Sequence, residues 1–313
     1  MIEILKKLKE FKEEDYNNYP ENISEKCYNL AVKLLNHLAY KKFDIFITYN
    51  KTVQFEFDLN GYYMEIEVYD DKFSVWGNDS ILNDLYHIGE DGIEFFEEEM
   101  YEVINIVKMF VNGRPEYPVL FTGAFNPPTI AHYHMIDSVL GNENYDFDYV
   151  VFAVSNQKFL DKKQSKTGDY AYSEQQRIDM LLEMTWENEN VLIFGVEQGY
   201  TYNVLCAVKD KYKTNFVYFA MGSDKLQEIN RWGFHDKLLT EFCFYVLMRG
   251  NDNKETIIQK CNVLFANTKY EIGEDNQQFK NISATMVRKA ICKNQDFKNL
   301  VHPNVNKYLM ESM

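Results

Sequence analysis

A single stretch constrains this chain more than any other. Tyr117 to Phe121 is apolar, Thr122-Gly123-Ala124-Phe125-Asn126 follows, then Pro127-Pro128, and Thr129-Ile130-Ala131-His132 opens a segment of helical periodicity. A short apolar run bounded by glycine reads as a buried strand, and the glycine lets the chain turn sharply at its end. The two prolines stiffen the turn and cannot extend the strand. Apolar residues recur at helical spacing from Ile130 to Leu140, which predicts a helix there. Its unpaired N–H groups and positive dipole end face whatever lies above the strand, and that makes a place for a phosphate. His132, in the first turn, is placed to donate to a phosphate oxygen.

The alternation continues to the C-terminus. Apolar runs at 149–154, 191–194, 216–221 and 242–248 are separated by helical segments, among them 173–185, 203–212 and 232–239. Short buried runs alternating with helices predict an α/β fold with a doubly wound parallel sheet. Ligands of such sheets sit at the carboxyl ends of the strands. The Gly123 loop is one of those ends.

Residues 1–112 follow other periods. Cys27, Leu30, Leu34 and Leu38 share a helical stripe over 23–38, with Asn22 or Ser24 as its cap. Residues 53–59 and 64–68 alternate with period two around an Asn60-Gly61 turn, and 73–76 adds a third strand. Residues 93–111 read as an amphipathic helix whose solvated face carries Glu94, Glu97, Glu98, Glu99 and Glu102. The expectation is an N-terminal α+β domain containing a small antiparallel meander. Asn112-Gly113-Arg114-Pro115 divides it from a second domain at 117–313. His37 and His87 have no spaced ligand partners and read as structural or exposed. The role of this first domain stays open.

Composition removes several classes. A formal net charge of −15 argues against non-specific binding to nucleic acid or to an anionic membrane. No apolar run approaches the ~20 residues that span a bilayer, and no signal-like apolar segment opens the chain. Five scattered cysteines without a Cys-x-x-Cys pair read as buried thiols in a reducing compartment, supporting neither disulfides nor a zinc site. A cytoplasmic protein is expected.

The loop resembles the signature of the nucleotidyltransferases with an HxGH-type loop. Within them the Phe125-Asn126-Pro127-Pro128-Thr129-x-x-His132 form is similar to the nicotinamide/nicotinate mononucleotide adenylyltransferases, with threonine where many bacterial members carry a first histidine. The resemblance extends over residues 117 to 310. Tyr172-Ser173 with Arg177 and Met180 resembles the family's Arg-x-x-Met helix, although taken alone that helix is weak evidence, since Arg177 reads also as a surface helix cation. Tyr200-Thr201 with Leu205 is similar to an element near the mononucleotide, although Thr201 reads equally as a helix cap. Gly222-Ser223-Asp224-Lys225-Leu226 before Trp232 resembles the Gly-(Ala/Ser)-Asp-x-Leu…Trp motif. Ile282-Ser283-Ala284-Thr285-Met286-Val287-Arg288 resembles Ile-Ser-Ser-Thr-x-x-Arg, with Ala284 in place of the second serine, which removes one hydroxyl donor.

The resemblance implies a Rossmann-like fold and adenylyl transfer from ATP to nicotinamide or nicotinate mononucleotide, giving NAD or deamido-NAD and pyrophosphate. It places Gly123, Ala124, Phe125, Thr129, His132, Gly222, Asp224, Ser283, Thr285 and Arg288 around ATP, with His132 and Arg288 catalytic. It places Asn126, Lys158, Tyr200, Thr201 and Trp232 around the mononucleotide. Lys158, Lys162 and Lys163 all follow the second strand, and their register relative to a phosphate is open. His134, roughly 200° round the helix from His132, cannot face the same phosphate. His235 and His302 read as structural. Magnesium is expected mainly on substrate phosphates, with few protein ligands. Two alternatives remain: another phosphorylated acceptor such as phosphopantetheine, or a non-catalytic nucleotide sensor. A homo-oligomer or a protein partner held through the first domain is also left open.

Overall fold

The computed structural model describes residues 23–38, 42–87, 92–161, 172–196, 199–248, 252–274, 279 and 281–312. Its contacts form two compact units, one of the described residues up to Arg114 with Trp186–Glu189, the other of Pro115–Thr185 with Asn190 onward.

In the first unit, α1 (Glu25–His37) begins at Ser24, whose side chain accepts the Cys27 N–H at 3.0 Å. Asn22, the other expected cap, lies outside the described residues. Five antiparallel strands follow in spatial order: β1 (Asp44–Ile47), β2 (Val53–Leu59), β3 (Tyr62–Val68), β4 (Lys72–Gly77) and β5 (Ile93–Phe96). Asn60 and Gly61 both take positive φ, 55° and 85°, as the primed turn between two tightly joined strands requires. Phe55, Phe57, Ile66, Phe73 and Val75 project from one face of the sheet into the core. Among the described residues two further helices belong to the unit, α2 (Ser80–Tyr86) and α3 (Met100–Asn112).

Three expectations need correction here. The meander has five strands, because β1 and β5 extend it at both edges. Residues 93–96 are strand where a helix was expected, since Phe73 and Val75 pair with Phe95 and Ile93. A sheet partner outweighs a local helical pattern. Glu102 leaves the solvated acidic face altogether: it is buried and accepts from the Tyr86 hydroxyl at 3.3 Å.

The second unit is a six-stranded parallel sheet: β6 (Val119–Gly123), β7 (Val150–Val154), β8 (Val191–Gly195), β9 (Tyr218–Gly222), β10 (Cys243–Met248) and β11 (Tyr270–Glu274). Its order is β11-β10-β9-β6-β7-β8. Strands β7 and β9 are buried at every position, as a sheet covered on both faces demands. Helices α4 (Ile130–Leu140), α5 (Glu174–Thr185), α6 (Thr201–Tyr212), α7 (His235–Glu241), α8 (Lys254–Leu264), α9 (Ala284–Cys292) and α10 (Pro303–Ser312) accompany it. Strand β11 had no sequence signal of its own.

The chain lays down β6 to β8 in one direction and returns to lay down β9 to β11 in the other. The direction therefore reverses between β6 and β9. Their ladder covers only Val119–Tyr218 and Leu120–Phe219 before the strands part. Such a reversal opens a crevice at the carboxyl edge, where doubly wound sheets take their ligands. No helix among the described residues is long and apolar enough to cross a membrane. All five cysteines are free, but the expectation of buried thiols fails at Cys292, which is exposed.

Candidate active site

The loop after β6 turns at Gly123 because Phe125 folds back over it. A Cβ at position 123 would stand 3.0 Å from the Phe125 ring, closer than side chains normally pack. Phe125 itself adopts a left-handed backbone, φ 46°. A non-glycine residue holds that conformation only where its surroundings impose it. Here the buried ring meets Phe152 edge-on at 5.3 Å and His132 at 5.1 Å.

His132 is held in one tautomer. Its Nδ1 accepts the Thr129 backbone N–H at 2.9 Å, which leaves the proton of the neutral ring on Nε2. Thr129 is fully buried, so this orientation is set from beneath. The helix amides contribute less than the sequence suggested. Ile130 donates its N–H to the Leu300 carbonyl at 3.0 Å, which spends one of the donors expected to meet a phosphate.

Arg288 reaches the same loop from α9. Its Nη1 donates to the Asn126 carbonyl at 2.7 Å and its Nη2 to Thr285 Oγ1 at 3.2 Å. Ser283 stands immediately before that helix and is exposed, as is Thr285. Beside this junction, at the carboxyl ends of β6 and β7, lies a cavity of about 250 Å³ whose walls include Gly123, Ala124, Ser155, Asn156, Phe159 and Thr201. A second cavity of about 290 Å³ adjoins Arg288 and is lined also by Tyr172, Gln176 and Cys292.

The sequence model of the cytidylyltransferase-like family matches residues 120–290, more than half of the chain. The chain belongs to that family. It is a nucleotidyltransferase, in keeping with the names of its relatives. A probable nicotinate-nucleotide adenylyltransferase of Fusobacterium nucleatum is 27% identical over 199 residues, covering 61% of this chain and 95% of the relative. One of Cytophaga hutchinsonii, with the same name, is 26% identical over 200 residues, 61% of this chain and 94% of that one. The solved nicotinic acid mononucleotide adenylyltransferase of Plasmodium falciparum, complexed with APC, superposes with a TM-score of 0.49 at 21% identity, covering 63% of this chain and 96% of that one.

The cytidylyltransferase-like chain gathers some of the residues singled out by sequence and disperses others. Gly123, Ala124 and Thr201 meet at the cavity, and Phe125, Asn126, Thr129, His132, Thr285 and Arg288 meet around the β6 loop. Gly222 ends β9 and is buried, whereas Asp224 is exposed and pairs with Lys225 at 3.7 Å. Trp232 is half-buried, edge-on to Phe219 at 5.8 Å. Tyr200 stands exposed against Phe234 at 5.5 Å.

Several side chains are already committed. Asn126 is buried and its Oδ1 accepts the Tyr172 N–H at 2.9 Å, so that oxygen braces the protein. Lys158 is exposed on a helical turn over 157–161, while Lys162 and Lys163 lie outside the described residues. Thr201 is no cap. Tyr200 holds the cap position, and Thr201 is the first helical residue. His134 turns away as its spacing required, stacked flat on Phe279 at 4.1 Å.

Ser155, Asn156 and Phe159 were missed. They follow the apolar run of β7, and the rule that ligands lie beyond parallel strands' carboxyl ends would have found them. Arg177 is corrected outright: far from being a surface cation, it is fully buried and donates to the Ala124 carbonyl at 2.8 Å.

Proposed function

We propose that the second unit transfers the adenylyl group of ATP to the 5′-phosphate of nicotinate mononucleotide, giving deamido-NAD and pyrophosphate. The observation that carries this reading is the meeting of His132 and Arg288 at one loop, the first with its Nε2 protonated by default, the second tied to the Asn126 carbonyl. The names of the relatives supply the acceptor.

The acceptor phosphate is already ionised, so no general base is needed. Catalysis consists of aligning it with the α-phosphorus and neutralising charge on phosphate oxygens. His132 Nε2–H donates to the α-phosphate. Each terminal nitrogen of Arg288 carries two N–H bonds, so the fork can hold its own loop and the outer phosphates together. The cavity beside Gly123 takes the mononucleotide, with Thr201 on its wall. Tyr200 lies between Gly199 and Thr201, which both line it. Among the described residues no three His, Cys, Asp or Glu side chains converge as cation ligands. Magnesium would enter mainly on the phosphates, where it would neutralise charge.

The test incubates the protein with ATP, magnesium and each pyridine mononucleotide in turn. Pyrophosphate should form faster with nicotinate than with nicotinamide mononucleotide. Release with neither acceptor would overturn the proposal.

A further inference from the structure

Arg177 has no part in the mechanism above, and its surroundings are unusual for a charged side chain. It is fully buried. A guanidinium stays protonated at any working pH, and burying an isolated charge is strongly unfavourable unless something compensates it. Its partners are neutral: Nη1 donates to the Ala124 carbonyl at 2.8 Å and Nη2 to Gln157 Oε1 at 3.5 Å, while the buried Nε has no partner.

Two carboxylates, Glu174 and Asp161, attract it through space, against a larger opposing influence from burial. Both are engaged with Gln157. Glu174 accepts its backbone N–H at 2.8 Å, and Asp161 accepts its side-chain amide at 2.8 Å. Among the described residues neither forms an ion pair with Arg177.

The two acceptors hold different sides of one cavity. Ala124 lines it from the loop after β6, and Gln157 opens the helical turn that follows Ser155 and Asn156, which line it after β7. The fork of Arg177 thus fastens both walls from behind. It also sets a positive charge where water is scarce and electrostatic attraction is strong.

We infer that Arg177 is a positioning residue for the acceptor's phosphate: it holds the two loops that wall the mononucleotide cavity, and the charge it puts behind them is neutralised by that phosphate. This rests on the adenylyl-transfer reading and adds to it the group by which the acceptor is recognised.

A merely structural role and this one separate on a single comparison. Affinities of nicotinate mononucleotide and nicotinate riboside, which lacks only the phosphate, are measured calorimetrically for the full-length protein and for Arg177→Met. The variant should bind the mononucleotide about tenfold more weakly or worse, the scale of one lost partly buried charge contact, and should lose clearly less affinity for the riboside, which feels only the loosened loops. Arg177→Lys, which keeps the charge, should recover most of the loss. Equal weakening of both ligands, or no weakening of either, overturns the inference.

Where Arg177→Met does not fold, Arg177→Gln takes its place with the same outcomes. If the parent protein binds neither ligand, the functional reading fails and inorganic phosphate becomes the probe. Phosphate that raises the Tm of the parent but not of the variant then supports the inference, and equal rises overturn it.

Discussion

At the scale of single residues, the site is built by main-chain groups fixing side chains. The Thr129 amide decides which nitrogen of His132 holds the proton, and the Asn126 carbonyl decides where Arg288 stands. Substituting His132 by alanine would remove the donor proposed to act as charge develops. Turnover should then fall by about 10² or more, with a far-UV spectrum like that of the parent protein. Near-normal turnover in that folded variant would remove His132 from the chemistry. The strand, tight turn and helix that carry Gly123, Phe125 and His132 were legible because their signals are local. The burial of Arg177 was not, since a charged side chain on a helix reads as solvated. Nor was the loss of the Ile130 amide, because its acceptor, Leu300, lies far along the chain.

At the scale of elements, strong periods were legible and weak ones were not. Helix α4 spans Ile130–Leu140, as its apolar spacing required. Strands β1, β5 and β11 escaped notice because each is an edge strand of four or five residues, too short for a clear period. Within α3, Lys108 is buried, and burial pushes its ammonium down from 10.5 to about 7, with Glu189 of the same unit pulling weakly back. The sign follows from proton counting. The unfolded lysine stays protonated up to its ordinary range while the folded one does not, so the penalty is complete below pH about 7 and fades as pH rises towards 10. Lys108→Met should therefore stabilise the protein most near or below neutrality, by a few kcal/mol, each unit of displacement being worth about 1.4 kcal/mol. The gain should shrink in alkaline buffer. Cys27, held protonated up to about 11, changes stability the opposite way above pH 9, so the parent and variant must be compared at each pH. A gain that is flat with pH in denaturant titrations would assign another role to Lys108.

At the scale of the whole molecule, the parallel sheet was legible because buried runs alternated with helices through the entire second half. The first unit remains without a counterpart in the relatives above. The Fusobacterium nucleatum protein is matched over 95% of its length by 61% of this chain. The family match begins at residue 120. A chain starting at Pro115 should fold and release pyrophosphate from ATP with a kcat within about threefold of the full chain, as an autonomous domain would. Loss of turnover in a folded truncation would tie the first unit to catalysis.

The early parting of β6 and β9 has a further consequence. Past Leu120 and Phe219 the facing edges of these strands stop serving as each other's partners, so their amides and carbonyls look outward to whatever fills the gap. A base or a sugar held there would be read by peptide groups, which every amino acid supplies alike. Such a grip would be indifferent to which side chains the two strands carry.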